Sequence, residues 1–121
     1  MKKSLLSTAL LVEPNEKLTY PYNLLPSKYH KTRFSTIAEA QKFVTLETPK
    51  LICLSASFSS EELLLFLENL QKQVAVSLPK LIFVIDLKNP LSCIPGVSWG
   101  QNIEVITSQT TDTVVSAIFT Q

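Results

Sequence analysis

The sequence is poor in glycine, with two in 121 residues, and both of them, Gly96 and Gly100, lie late in the chain. Two late glycines cannot form the glycine-rich loop that cradles a phosphate, which excludes P-loop and dinucleotide-binding sites. The chain also has only two cysteines, Cys53 and Cys93, and a single histidine, His30. Their spacing matches no metal-binding motif. We therefore expect no metal ion, no cofactor and cysteines that stay reduced in a cytoplasmic protein.

A strong charge of either sign is absent as well, because 11 Lys and Arg residues are balanced by 10 Asp and Glu residues. This balance offers no basic surface to nucleic acid or to an anionic membrane, so we expect neither as a partner. The apolar run from Leu63 to Leu67 is far shorter than the ~20 residues of a membrane span. The start, Met1 to Lys3 followed by apolar residues, has the outline of a signal peptide. It lacks a small-residue cleavage site, which favours a buried first strand instead.

Apolar runs of strand length recur five times. Three of them are apolar at nearly every position, which is typical of strands covered on both faces in a parallel sheet. Between the runs, apolar residues at helical spacing predict helices, and Ser59 with Glu62 forms a capping box that opens one of them. The predicted strands are Thr8 to Val12, Tyr29 to Phe34, Leu51 to Leu54, Leu81 to Leu87 and Ile103 to Ile106. The predicted helices are Ile37 to Leu46, Ser59 to about Val74, and Thr111 to Phe119.

Two connections in this alternating pattern are poor in helix-forming sequence. Pro21 and Pro26 interrupt the segment after the first strand, because proline lacks an amide donor and disfavours helix at the residue before it. The segment 88–102 holds Pro90, Pro95 and both glycines, which favours a loop or a single turn. We therefore expect one doubly wound α/β domain over residues 1–121, with weak first and fourth helices.

Four hydrophobic segments carry a resemblance to a known family. They are Ala9 to Glu16, Ser35 to Ala40, Pro49 to Ser55 and Pro79 to Ile85, and the stretch from Phe34 to Ser55 matches without a gap. In order, they resemble the first strand with its acidic turn, the start of the second helix, the central strand and the fourth strand of response-regulator receiver domains. The resemblance implies a flavodoxin-like, five-stranded parallel sheet in the order 2-1-3-4-5.

The same resemblance implies a phosphorylation site that has lost its chemistry. Receiver domains need an Asp that accepts the phosphoryl group, acidic neighbours that hold Mg²⁺, and a Lys that pairs with the phosphate. In this sequence Ser55 stands at the acceptor position, and Glu13 followed by Pro14 stands at the acidic pair. One carboxylate of three remains, so aspartyl phosphorylation is not expected.

After the last two strands, Asp86 alone offers a replacement acid beside Glu13, and an acidic residue at a strand end is more often a solvated terminus or a helix cap. The hydroxyl residue expected at the end of the fourth strand falls near Val84 or Ile85, and the Lys expected after the fifth strand falls near Thr107 or Ser108. We therefore predict a degenerate pocket in a pseudo-receiver that is not an enzyme and that binds a protein in signal transduction. The partners that the resemblance implies are a histidine kinase, another regulator, or a second copy of the chain in a homodimer.

Two alternatives place the function at the same edge of the sheet. In a small α/β enzyme, Ser55 would be a nucleophile assisted by His30 and Asp86. Against this, His30 falls at the opposite end of its strand, and no G-x-S-x-G elbow is present. In a small-molecule-binding module, the ligand would lie near Ser55, where the strand order reverses.

Aromatic and apolar residues in irregular segments provide the candidate interface. We single out Trp99, Pro95 and Val114 as residues that a partner protein would contact. Trp99, like Tyr20 and Tyr22 on either side of a proline, either anchors a partner or fills a gap where a regular helix is missing.

Overall fold

From the first strand to the fourth, strands and helices alternate along the chain, as the sequence predicts. The structure is a computed structural model, and it describes residues 7–73, 78–85, 87, 99 and 103–120. Its strands are β1 (Ser7–Val12), β2 (Tyr29–Phe34), β3 (Leu51–Ser55), β4 (Lys80–Ile85) and β5 (Ile103–Thr107). Its helices are the 3-10 turn η1 (Tyr22–Leu24), α1 (Ile37–Leu46), α2 (Ser60–Gln73) and α3 (Asp112–Thr120).

The strands form one parallel sheet in the order β2-β1-β3-β4-β5. This order confirms the predicted flavodoxin-like α/β fold. Ser55, the last residue of β3, lies beside Val84 of β4, and Ile85 at the end of β4 lies beside Thr107 of β5. Because parallel strands end at the same edge of a sheet, the residues that follow β1, β3, β4 and β5 meet there.

The strands whose sequences are continuous apolar runs are the most deeply buried strands of the sheet. β3 is buried along its whole length, and β4 is buried at the four positions from Leu81 to Val84. The edge strand β2 instead exposes His30 and Lys31 to solvent. The difference follows from position, since a central strand of a doubly wound sheet is covered on both faces and an edge strand is not.

Two hydrophobic clusters cover the two faces of the sheet. On the first, here called the α1/α2 face, alternate strand residues pack against α1 and α2 through side chains such as Phe66 and Leu70. On the second, here called the α3 face, the other strand residues pack against α3 and η1 through side chains such as Phe119 and Tyr22. Successive strand residues point to opposite faces, which is why each strand contributes to both clusters.

Two helices begin at side-chain caps that the sequence indicates. The Thr36 hydroxyl accepts the N–H of Glu39 at 3.2 Å in front of α1. In front of α2, Ser59 Oγ accepts the N–H of Glu62 at 3.2 Å and donates to the carboxylate of the same residue at 3.2 Å. The predicted start of this helix at Ser59 is thereby confirmed, with Ser59 as its N-cap and the Glu62 carboxylate bonded to the Ser59 hydroxyl. The predicted end of this helix, Val74, lies outside the described residues.

The prediction of a strand from Leu81 to Leu87 is wrong at its end. β4 ends at Ile85, and Leu87 lies in a turn and is exposed. Within the described sheet, β3 ends beside Val84 and β5 ends beside Ile85. Leu87 lies beyond these last paired positions and follows the charged residue Asp86, so it does not extend the hydrogen-bonded ladder.

The connection between β1 and β2 contains only the short helix expected from its prolines. η1 is three residues long and is capped by Pro21, whose peptide bond to Tyr20 is cis. Apart from Leu87 and Trp99, the fourth crossover lies outside the described residues, including Asp86, Cys93 and Pro95.

Candidate functional site

A cavity of about 240 Å³ lies at the carboxyl edge of the sheet. It is bounded by the ends of β1, β3, β4 and β5 and by the segment between β1 and η1. Its lining residues are Glu13, Asn15, Leu18, Tyr20, Pro21, Ser55, Val84, Ile85, Ile106, Thr107 and Ser108. In open parallel sheets, ligands bind at this edge. The cavity is therefore the candidate site of the chain.

All residues predicted for the degenerate pocket line this cavity except Pro14, which is exposed. They come together because they stand at the ends of parallel strands. Sequence reasoning missed Leu18, Tyr20 and Pro21, which bring the β1–η1 segment against the strand ends. The prolines in that segment exclude a regular helix, but no periodicity or motif indicates the path that the backbone then takes.

Glu13 is the acidic residue among the described lining residues, and only 3% of it is exposed. One carboxylate oxygen, Oε1, accepts the phenol O–H of Tyr22 at 2.7 Å. The other, Oε2, accepts the N–H of Asn15 at 3.0 Å. A buried carboxylate needs such donors, because burial without hydrogen bonds is strongly unfavourable. The chain itself thus holds Glu13 in a fixed position at the cavity.

Tyr22 connects this carboxylate to Arg33. The Arg33 guanidinium carbon lies 4.9 Å from the centre of the Tyr22 ring, and its Nη2 donates to the carbonyl oxygen of Asn15 at 2.9 Å. Burial and the neighbouring Glu13 charge raise the pKa of Tyr22 far above its ordinary value, although Arg33 opposes the shift. The phenol therefore stays protonated and remains a donor to the carboxylate. The sequence carries no signal for this chain of contacts, since the three side chains come from separate elements.

Ser55 does not meet the histidine that a catalytic triad would require. It is 1% exposed, and its Oγ accepts the N–H of Ser57 at 3.2 Å in a local turn. His30 is exposed and lies beside Thr8 near the start of β1, at the opposite edge of the sheet. The remaining member of the hypothetical triad, Asp86, lies outside the described residues. Ser55 and His30 are thus not arranged for proton transfer.

Hydroxyl groups organise the turn after β5, where the resemblance implies a Lys. Thr107 donates its N–H to Thr110 Oγ1 at 2.9 Å, and its own Oγ1 accepts the N–H of Gln109 at 3.1 Å. The phenol of Tyr20 donates to the carbonyl oxygen of Thr110 at 2.5 Å. This last bond joins the β1–η1 segment to the turn after β5, so two opposite sides of the cavity are tied together by uncharged groups.

The candidate interface residues do not line this cavity. Trp99 is half-buried against the α1/α2 face, and its indole N–H donates to the carbonyl oxygen of Pro79 at 2.9 Å. Val114 lies on α3 and is 48% exposed. Pro95 lies outside the described residues. Trp99 thus packs into the core, whereas Val114 is accessible to a partner.

The free cysteine Cys53 lies in the middle of β3 and is fully buried. Burial raises the pKa of its thiol, which therefore stays protonated. A protonated, inaccessible thiol is unreactive, so Cys53 acts as a small apolar residue.

Among the described residues, no group of three or more His, Cys, Asp or Glu side chains is placed to hold a metal ion. In the same part of the chain, the helices are all too short or too polar to cross a membrane. Comparisons with models of protein families, with curated proteins and with solved structures find no match to this chain.

Proposed function

We propose that this chain is a receiver-like domain that cannot be phosphorylated and that acts in signal transduction by binding another protein. The observation that carries the proposal is the lining of the cavity. Glu13 is the single carboxylate among the described lining residues, and Ser55 stands where an acceptor Asp is needed. A receiver site needs that Asp and its acidic neighbours to hold Mg²⁺ and to accept the phosphoryl group.

The neighbouring strand ends support the same proposal. Ser55 stands beside Val84, and Ile85 stands beside Thr107, so apolar and hydroxyl groups surround Glu13 at this edge. A phosphoryl transfer site needs positive charge to stabilise the transferring group. Among the described lining residues, none is a Lys or an Arg. The domain is therefore proposed to have no catalytic activity of its own.

The protein-binding part of the proposal rests on the surface that α3 presents. Val114 is apolar and 48% exposed there, next to the buried side that packs on the sheet. Since no phosphorylation would switch this surface between two states, we propose that it stays in one state. Its partner is a histidine kinase, another regulator, or a second copy of the chain.

Incubation with acetyl phosphate and Mg²⁺, followed by intact-mass spectrometry, tests the loss of phosphorylation. We expect no added phosphoryl group on the natural chain, while an ordinary receiver domain treated in parallel gains one. The variant Ser55→Asp is expected to stay unmodified as well, because it restores the acceptor without restoring the cation site. A phosphorylated Ser55→Asp variant would mean that only the acceptor is missing, which contradicts the proposal.

Size-exclusion chromatography with light scattering tests whether the partner is a second copy. If it is, the chain elutes as a dimer, and Val114→Asp on α3 converts it to a monomer. The matched control is Leu65→Asp on α2, which changes a residue that is 59% exposed on the other side of the sheet. Equal dissociation by both variants would assign the effect to general destabilisation and would remove α3 as the contact surface.

A further inference from the structure

The cavity at the carboxyl edge contains two polar side chains that are almost entirely removed from solvent. Glu13 is 3% exposed and Ser55 is 1% exposed, and both line it. We propose that this cavity binds a small primary amine with an apolar body, such that the ammonium group pairs with Glu13 and the body packs against the strand ends. This inference does not depend on the proposed protein-binding function.

The charge of Glu13 is the first argument for an amine. Within the described part of the chain, Glu13 has hydrogen-bond donors but no Lys, Arg or His in an ion pair. Arg33 is directed elsewhere, to the Asn15 carbonyl oxygen and the ring of Tyr22. A buried carboxylate without a counter-charge is unfavourable, and pairing offsets part of that cost. A ligand ammonium group would provide the positive charge that no described residue places in an ion pair with Glu13.

The capacity of the carboxylate is the second argument. An ionised carboxylate has about four sites that accept hydrogen bonds. Tyr22 and Asn15 occupy one on each oxygen of Glu13. The remaining capacity suits an ammonium group, which has three donors and no acceptor. The same two contacts fix the carboxylate before the ligand arrives, so little side-chain entropy is lost on binding.

The size and lining of the cavity limit the rest of the ligand. Val84, Ile85 and Ile106 present apolar surface at the ends of β4 and β5, and Leu18 and Pro21 add more from the opposite side. An apolar cavity of about 150 Å³ accepts a benzene ring. A cavity of about 240 Å³ therefore accommodates one ring with a short amine-bearing arm.

The lining also disfavours anionic ligands. A phosphate or carboxylate group in the cavity would be placed near the Glu13 carboxylate, which repels it. The described lining residues include no Lys or Arg to compensate for that repulsion. The hydroxyl groups of Ser55 and Thr107 instead suit a ligand with one neutral polar group besides its amine.

The two sides of the cavity are held in place without a ligand. Tyr20 from the β1–η1 segment donates to the Thr110 carbonyl oxygen at 2.5 Å, and Thr110 in turn accepts the N–H of Thr107. Sites for small molecules are usually formed in advance in this way. The cavity therefore has its shape before a ligand binds.

Isothermal titration calorimetry of the full chain with benzylamine and with benzyl alcohol tests the proposal. The two probes have similar shapes, and only the amine is charged at pH 7. We expect benzylamine to bind about tenfold or more tightly than benzyl alcohol, because hydrogen bonds to charged groups are the stronger ones. Equal affinities, or no binding of benzylamine at millimolar concentration, would overturn the proposal.

The variant Glu13→Gln removes the charge and replaces one acceptor oxygen with an amide donor. The remaining amide oxygen can still accept the N–H of Asn15, and the Tyr22 hydroxyl can turn to accept the amide N–H. We expect the variant to weaken benzylamine binding about tenfold and to leave benzyl alcohol unchanged. The matched control is Glu16→Gln, which removes an exposed carboxylate outside the cavity and is expected to change neither affinity. If Glu16→Gln lowers benzylamine binding as much as Glu13→Gln does, the amine is attracted by net charge and the proposed site is wrong.

Two further arms keep the proposal testable if Glu13→Gln fails to fold. Ile85→Trp fills the cavity from a half-buried position at the end of β4 and is expected to abolish binding of both probes. MgCl₂ is expected not to displace benzylamine. Undiminished binding to Ile85→Trp would place the probes elsewhere, and displacement by Mg²⁺ would assign Glu13 to a metal site instead of an amine site.

Discussion

The two faces of the sheet are covered in different ways. On the α1/α2 face, two regular helices contribute apolar side chains such as Leu63, Phe66 and Leu70. On the α3 face, the described elements that cover the sheet are one helix and a three-residue 3-10 turn, and Tyr22 and the neighbouring segment pack beside them. The first face is closed by hydrophobic packing, whereas the second combines packing with a buried hydrogen bond to Glu13.

This difference explains where the cavity lies. Glu13 and Ser55 belong to the strand positions that alternate onto the α3 face, together with Leu11 and Cys53. A regular helix after β1 would have covered these positions with apolar residues. Because prolines shorten that helix to η1, its place is taken by a segment that leaves a cavity and polar contacts at the strand ends. The less regular face is therefore the one that has a cavity at the strand ends.

The largest effect is expected from the α1/α2 face. Phe66 is fully buried on α2, so Phe66→Ala should lower the free energy of unfolding by about 3–5 kcal/mol, from lost burial and the cavity left behind. The measurement is urea denaturation followed by circular dichroism. Leu65→Ala on the same helix is the control, since Leu65 is exposed and should change stability by less than about 0.5 kcal/mol. Similar losses in both variants would mean that α2 does not pack as described.

A smaller effect is expected from the α3 face. Tyr22→Phe removes the hydroxyl that donates to Glu13 and leaves a buried carboxylate oxygen without that donor. The free energy of unfolding should fall by about 1–3 kcal/mol at pH 7. Tyr20→Phe, which removes a hydrogen bond to a backbone oxygen at a half-buried position, should cost less. If Tyr20→Phe costs more than Tyr22→Phe, the polar contact to Glu13 is not what stabilises this face.

The central part of the fold was predictable from the sequence, because a strand that is buried on both faces has apolar residues at successive positions. β3 and β4 are apolar at successive positions, and the capping box at Ser59 marks the start of α2. The prediction carried β4 to Leu87 because Leu87 is apolar, although Asp86 interrupts the apolar run after Ile85 and the paired neighbours end there. The position at which a strand stops pairing depends on its neighbouring strands, and its own sequence does not determine it.

The candidate site was predictable in part for a related reason. Once the strand order is known, residues at the ends of parallel strands converge, and this places Glu13, Ser55 and Thr107 at one cavity. The contact of Tyr22 with Glu13 and the position of Arg33 over the Tyr22 ring depend on the path of an irregular segment. Loop paths follow from tertiary contacts, and neither periodicity nor spacing encodes them.

The smallest expected effect is a change with pH in the free energy of unfolding, and it should arise from the α3 face alone. Tyr22 has a pKa raised by burial and by Glu13, so the folded state keeps its proton at a pH where the unfolded state, with an ordinary pKa of about 10, loses it. Its contribution to stability is thus fully present below pH 10 and is lost as the pH rises further. The stability advantage of the natural chain over Tyr22→Phe should shrink by about 1.4 kcal/mol between pH 8 and pH 11.

Urea titrations of the natural chain and of Tyr22→Phe at pH 8, 10 and 11 measure this change. Cys53, whose pKa is also raised by burial, contributes equally to both proteins and cancels in the difference. Phe66→Ala, on the face without a buried phenol, should keep a constant difference from the natural chain over the same range. A constant difference for Tyr22→Phe too would mean that its phenol ionises as readily in the folded chain as in the unfolded one, and the buried contact with Glu13 would then have to be abandoned.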